Sequence, residues 1–222
     1  ETGAQLSTTQ RFQLVEGFTP LQAGVLVAAI ALGSLPSALG GGAFLHILGL
    51  RVLISGGLGV GAVGVGTAVA AVATDTFALL VVGFVVTGLG LGAAFSVASA
   101  AIMGNAHPRK AGMAASIEEV SYEFGSLSAV AILGSLLTFV YAANVRLPEG
   151  SPELARESLS DALAVAEGNT ALIEAAKSAY DTSYLVTMAV LAMMLLIGAI
   201  TTNRLLQSYG RGTEAMAYAE NH

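Results

Sequence analysis

The 222-residue sequence predicts an all-α fold, a polytopic transmembrane helical bundle. Three observations lead there. Apolar residues make up 55% of the chain and charged ones 11%, against about 25% charged in soluble domains; mean hydropathy is +0.74. Five stretches reach the ~20 apolar residues a helix needs to cross a bilayer. Four of them follow one another through turns of a few residues, which argues against the alternative of buried helices in a large soluble core.

The first 20 residues read as an outer loop and the end of a truncated span. Residues 21–143 hold four transmembrane helices: Leu21 to Leu45, Val52 to Ala73, Phe77 to Gly104 and Ala111 to Ala143. Pro36 removes a backbone hydrogen bond from the first and is expected to kink it. Gly57 with Gly61, and Gly88 with Gly92, are spaced to let neighbouring helices approach closely. Residues 144–182 form an acidic link with seven acids against three bases. In it Ser151 is placed to cap a helix that starts at Pro152 with Glu153 in its first turn. Leu154, Leu159, Ala162, Leu163 and Ala166 continue at near-helical spacing, and Gly168 is placed to end it in a left-handed conformation. A second helix start at Asn169 or Thr170 completes a helical hairpin, which the capping residues favour over a solvated charged linker. The last span is Ser183 to Thr202, within residues 183–203, and residues 204–222 are a tail.

Lys and Arg set the orientation, since they collect in short cytoplasmic loops. Arg51 lies in the turn after the first span, Arg109 and Lys110 after the third, and Arg204 and Arg211 in the tail. These places share one side, so the C-terminus is expected in the cytoplasm and the link outside. The net charge of −6 carries no partner signal, because seven of the fifteen acids sit in the link and the rest are dispersed. Nine Lys and Arg, dispersed, make no basic stripe for nucleic acid. The absence of cysteine excludes disulfides and thiolate metal sites. The sequence begins at Glu1 with no initiator Met, no basic n-region and no cleavage-site pattern, so it reads as an internal start, a fragment of something longer. Glu1 itself is a fourth intramembrane acid if a span ends near Thr9, and a loop residue otherwise.

Gln10-Arg11-Phe12-Gln13-Leu14-Val15-Glu16-Gly17-Phe18-Thr19-Pro20-Leu21-Gln22-Ala23-Gly24 resembles the Q-x-x-Q-x-x-x-G-x-[ST]-P-x-x-A-G loop of fourteen-span drug:proton antiporters of the major facilitator superfamily, the QacA-like group. Three further segments follow in the family's order. Residues Gly42 to Arg51 resemble the degenerate second-half form of the cytoplasmic G-x-x-x-D-R-x-G-x-R turn, with His46 where its Asp would stand and Ile47 where its basic residue would. That departure withdraws the gating salt bridge the turn makes elsewhere. Pro108 to Ser116 resembles the P-x-x-x-G-x-A-x-S lead-in to the penultimate span, and Glu118-Glu119-x-x-Tyr122-Glu123-x-Gly125 the acidic motif placed there. The resemblance implies a C-terminal half of an alternating-access exporter of hydrophobic cations such as quaternary ammonium compounds and dyes, driven by the proton gradient with no cofactor.

Chemistry in the fourth span supports the same reading. An ionisable group in hydrocarbon costs roughly 2.5–3.5 kcal/mol by the milder estimates and marks a functional site by default. Glu118, Glu119 and Glu123 are the charges between Ala111 and Val145. At 3.6 residues per turn Gly112, Ser116, Glu119, Glu123, Ser126 and Val130 share a sector of about 80°, with Glu118 and Tyr122 toward its edge. From Ala111, Glu119 lies about 12 Å and Glu123 about 18 Å along the axis, the latter near the midplane. For a carboxylate at such a depth, low dielectric favours the protonated form and a wet cavity or a cation favours the ionised one. A proton and a lipophilic cation therefore compete for one negative site. Glu119 is the expected first proton or cation site, Glu123 its partner and Glu118 a third, with Tyr122, Ser116 and Gly112 lining the substrate cavity and Phe84, Phe95 and Phe124 as further aromatic candidates. His46 and His107 read as solvated turn residues. Two other classes stay open. An intramembrane glutamate protease would need an Arg or His near the acids, which 118–125 lacks, and a channel or structural bundle would conduct without a proton gradient.

Overall fold

The computed structural model describes residues 2–15, 17, 19–74, 76–166 and 168–208. Among them the chain is helical and has no strand. The helices are α1 (Thr2–Leu14), α2 (Pro20–Ala73), α3 (Phe77–Asn105), α4 (Ala111–Asn144), α5 (Leu159–Val165) and α6 (Thr170–Leu205), with 3-10 turns at Pro108–Lys110, Glu153–Arg156 and Leu206–Ser208. Five stretches are long and apolar enough to cross a membrane: Ala23–Gly40, Ile47–Ala73, Phe77–Asn105, Pro108–Asn144 and Thr170–Leu205. Helix is what such segments must form, because hydrocarbon offers no partner for an unpaired backbone group and each one costs several kcal/mol.

The cytoplasmic turn expected at 46–51 is reduced to one residue. Gly49 takes φ 76° and ψ 158° inside α2, a region open essentially to glycine alone, and divides α2 into arms of residues 20–48 and 50–73. Pro36 keeps helical dihedrals, so the break falls at Gly49 and not at the proline. At the start of α4, His107 caps the Pro108 turn by accepting a hydrogen bond from the Arg109 N–H at 3.3 Å.

The chain divides into two compact units. In the unit of Ala28–Gly125 and Leu191–His222, α3 packs against both arms of α2 through small residues. A Cβ on Gly57 would come within 2.6 Å of the Gly90 carbonyl, and one on Gly64 would overlap Thr87. On the opposite face of α3, a Cβ on Gly88 would overlap the Ile30 carbonyl and one on Gly92 would lie 2.7 Å from that of Ser34. Ser96 Oγ donates across the same interface to Ala38 O at 2.8 Å. Arg51, the basic residue of the degenerate turn, donates through Nε to Asn203 Oδ1 at 2.7 Å.

The unit of Glu1–Val27 and Ser126–Val190 joins α1 to α6 and folds the acidic link over the end of α4. Tyr141 donates through its hydroxyl to Ala155 O at 2.9 Å, so a buried phenol anchors the link to the span. The expected cap moves. Ser151 Oγ donates to Pro148 O and only a 3-10 turn follows Pro152. Ser158 caps α5, accepting from the Asp161 N–H at 3.1 Å and donating to the Asp161 carboxylate at 2.5 Å. Gly168 has φ +86°, and Asn169 Oδ1 then accepts from Leu172 N at 3.2 Å to start α6. With 36 residues, α6 is about 54 Å long against a hydrocarbon core of ~30 Å; its charged first turns, with Glu174, Lys177 and Asp181, form the part beyond the core.

Candidate functional site

Because α4 is unbroken from Ala111 to Asn144, the helical period places Gly112, Ser116, Glu119 and Glu123 on one face, and all four are exposed. Glu118 is half-buried and lies about 100° around the helix from Glu119. One turn separates Glu119 from Glu123, a Cβ spacing of about 5–6 Å. Farther along the helix the same angular sector carries Leu133, Leu137 and Tyr141, which are buried. One stripe of α4 is therefore covered where it is apolar and open where it is acidic.

Among the described residues no Arg, Lys or His forms an ion pair with Glu118, Glu119 or Glu123; the pairs formed are Arg11 with Asp181 and Arg156 with Glu153. Among the described residues the acids are thus tied to no basic neighbour. No group of three His, Asp or Glu side chains converges as a metal site among the described residues. Ser116 spends its hydroxyl on Gly112 O at 2.9 Å, and Ser121 on Ile117 O at 2.7 Å. Both are held along the helix rather than projected from it.

Tyr122 packs edge-on against Phe95 of α3, ring centroids 5.2 Å apart at 64°, and both rings remain about half exposed. The contact holds the acidic face beside α3. The other two aromatic candidates lie elsewhere. Phe84 is buried in the packing of α3, and Phe124, 73% exposed, belongs to a separate apolar stripe with Met113, Ile117, Val120 and Leu127. By the helical period that stripe is centred about 100° from the acids. It presents a surface suited to lipid, and the acids do not share it. His107 is exposed in its turn; Glu1 and the side chain of His46 lie outside the described residues.

Sequence reasoning missed a second polar cluster, at the junction of α1 and α6. Arg11, 6% exposed, donates through Nε to Asp181 Oδ1 at 2.8 Å. Its guanidinium carbon lies 5.1 Å from the ring centroid of Phe12 and 5.6 Å from that of Tyr184. Thr8 and the buried Tyr184 hydroxyl are 3.1 Å apart, and Lys177 Nζ donates to Val15 O at 2.6 Å. The available signal was a lone arginine in the Gln10 to Gly24 segment, set against the last acid before an apolar run.

Comparison with known proteins covers most of the chain. The Major Facilitator Superfamily profile matches residues 10–144. The chain is 31% identical to the methyl viologen resistance protein SmvA of Salmonella typhimurium over 208 residues, covering 89% of this chain and 42% of that protein. It is 32% identical to the multidrug efflux pump LfrA of Mycolicibacterium smegmatis over 200 residues, covering 86% and 40%. The chain thus spans about two fifths of the length of these relatives.

Proposed function

Given that the chain belongs to the Major Facilitator Superfamily, a family of membrane transporters and not of enzymes, we propose that it serves as the C-terminal part of a proton-coupled multidrug exporter. Hydrophobic cations such as quaternary ammonium compounds and dyes are its substrates, and an N-terminal half of the same transporter completes it. The reading places it in a bacterial inner membrane with Arg51, Arg109, Lys110 and the C-terminus on the cytoplasmic side. The names of SmvA and LfrA support a toxic-compound efflux role, methyl viologen being itself a cation.

The observation that carries the proposal is the open acidic face of α4, where Glu119 and Glu123 stand one turn apart without a basic partner among the described residues. A proton and a cation compete for the negative charge of the two carboxylates, so binding of one favours release of the other. That competition is antiport: a proton gained on one side of the membrane displaces the drug, and a drug taken up on the other displaces the proton. Glu118 supplies a third negative charge beside that face, and Tyr122 an aromatic surface.

In the complete transporter, Glu119→Gln and Glu123→Gln should each abolish efflux of a fluorescent cation from energised cells while membrane insertion stays normal. Unchanged efflux in both variants would sink the proposal. An ionophore that collapses the proton gradient should stop transport by the native protein, whereas a channel would keep conducting.

A further inference from the structure

Away from the acidic face of α4, the unit built on α1 and α6 contains a cavity of about 130 Å³ beneath the acidic link. At ~30 Å³ of liquid volume per molecule this is room for about four waters. It falls well short of the roughly 300–1,000 Å³ that takes a whole drug-sized ligand, so it suits a single chemical group. Its lining is mixed in a specific way. Tyr141 and Tyr180 supply aromatic surface, Leu137 an apolar one, Gln10 and Thr138 neutral polar groups, and Glu157 a carboxylate.

Both phenols are fixed by their hydroxyls, Tyr141 on Ala155 O at 2.9 Å and Tyr180 on Gln10 Oε1 at 3.3 Å. The rings are therefore positioned before anything binds. Glu157 has no basic partner among the described residues. Its neighbour Arg156 lies 3.8 Å from Glu153 instead, and Arg11 is taken by Asp181. The next carboxylate, Asp161, is held by the Ser158 hydroxyl. With seven acids to three bases across the link, the field around the cavity mouth is negative and concentrates cations there.

Aromatic surface beside an uncompensated carboxylate is the arrangement that recognises quaternary ammonium groups. We propose that this cavity is a subsite for a small organic cation, separate from the acidic face of α4 and on the side of the membrane to which the link belongs. In an exporter it is where the charged head of a departing cation pauses; that role rests on the transport reading above, whereas binding itself does not.

The test uses the complete transporter in detergent with tetramethylammonium as probe, followed by saturation-transfer NMR of its methyl protons at constant ionic strength. Glu157→Gln and Tyr180→Leu should each weaken binding at least five-fold, with the thermal melt of the Glu157 variant unchanged. Glu153→Gln, which removes another carboxylate of the link outside the cavity, should bind as the native protein does. The Glu119→Gln/Glu123→Gln double variant should still bind the probe at the outer cavity even if it no longer exports. Native binding by Glu157→Gln overturns the proposal, as does binding lost only in the double variant. Retained cavity binding together with unimpaired efflux by the Glu119 and Glu123 variants would overturn the antiport reading alone.

Discussion

Arg11 is a full charge held 6% exposed at the junction of two helices, with Asp181 at 2.8 Å and two aromatic rings around the guanidinium. Taking such a pair out of water costs about as much as its attraction returns, but removing one partner leaves the other charge stranded. For a fully buried pair that loss is 3–5 kcal/mol. The Asp181 side chain is 36% exposed, so water screens part of it and Asp181→Asn is expected to cost about 1–3 kcal/mol. Arg11→Met/Asp181→Asn should recover part of that loss, because no charge is then left unpaired. Thermal melts of the native protein, the two single variants and the double variant give the coupling energy; additive losses would show the pair to be incidental. The cluster was not legible beforehand because its two charges lie 170 residues apart, while sequence spacing reports only on neighbours along one helix. Asp181 counted merely as one acid of the link. Glu118, Glu119 and Glu123 were legible for the converse reason, since the anomaly of a charge in an apolar stretch is local.

Helices in a membrane gain nothing from burying apolar surface against one another, and close van der Waals packing has to hold them. In α3 that requirement explains glycines on both faces: Gly83 and Gly90 toward the second arm of α2, Gly88 and Gly92 toward the first. The sequence supplied the pairs Gly57/Gly61 and Gly88/Gly92 but not the pairing itself, in which Gly88 sits on Ile30 and Gly64 on Thr87. Nor did it supply the position of the bend, because the cost of Pro36 is visible in one residue's chemistry whereas the dihedrals of Gly49 are set by the packing of both arms. Glycines without a neighbour provide the control. Gly88→Ala drives a methyl group into the backbone of the first arm and should cost about 1–3 kcal/mol, as overpacking does. Gly66→Ala meets nothing within 4 Å and should leave stability unchanged or raise it by up to ~1 kcal/mol through helix propensity. Thermal unfolding of the two purified variants decides between close packing and composition as the reason for the 27 glycines; equal effects would favour composition.

At the scale of the molecule in its membrane, α4 offers two exposed surfaces of opposite character. Met113, Ile117, Val120, Phe124 and Leu127 form one, and Gly112, Ser116, Glu119 and Glu123 the other. Hydrocarbon stabilises the first and penalises the second by several kcal/mol per charge, so the bilayer itself orients the helix about its axis. On the transport reading, the acidic face meets a cavity that holds water. Since the chain contains no cysteine, single thiols can report this division once any cysteine elsewhere in the complete transporter has been replaced. Thiols react as thiolates, and only a hydrated site lets them ionise. Ser116→Cys should therefore react with a charged, membrane-impermeant maleimide, whereas Phe124→Cys, two turns further along but on the apolar stripe, should resist it and react only with a lipid-soluble reagent. A hydrophobic cation added beforehand should slow labelling at 116 and leave 124 as it was. Equal labelling at the two positions would mean that water reaches both faces, and the separation of a lipid surface from an acidic cavity would fail for this helix.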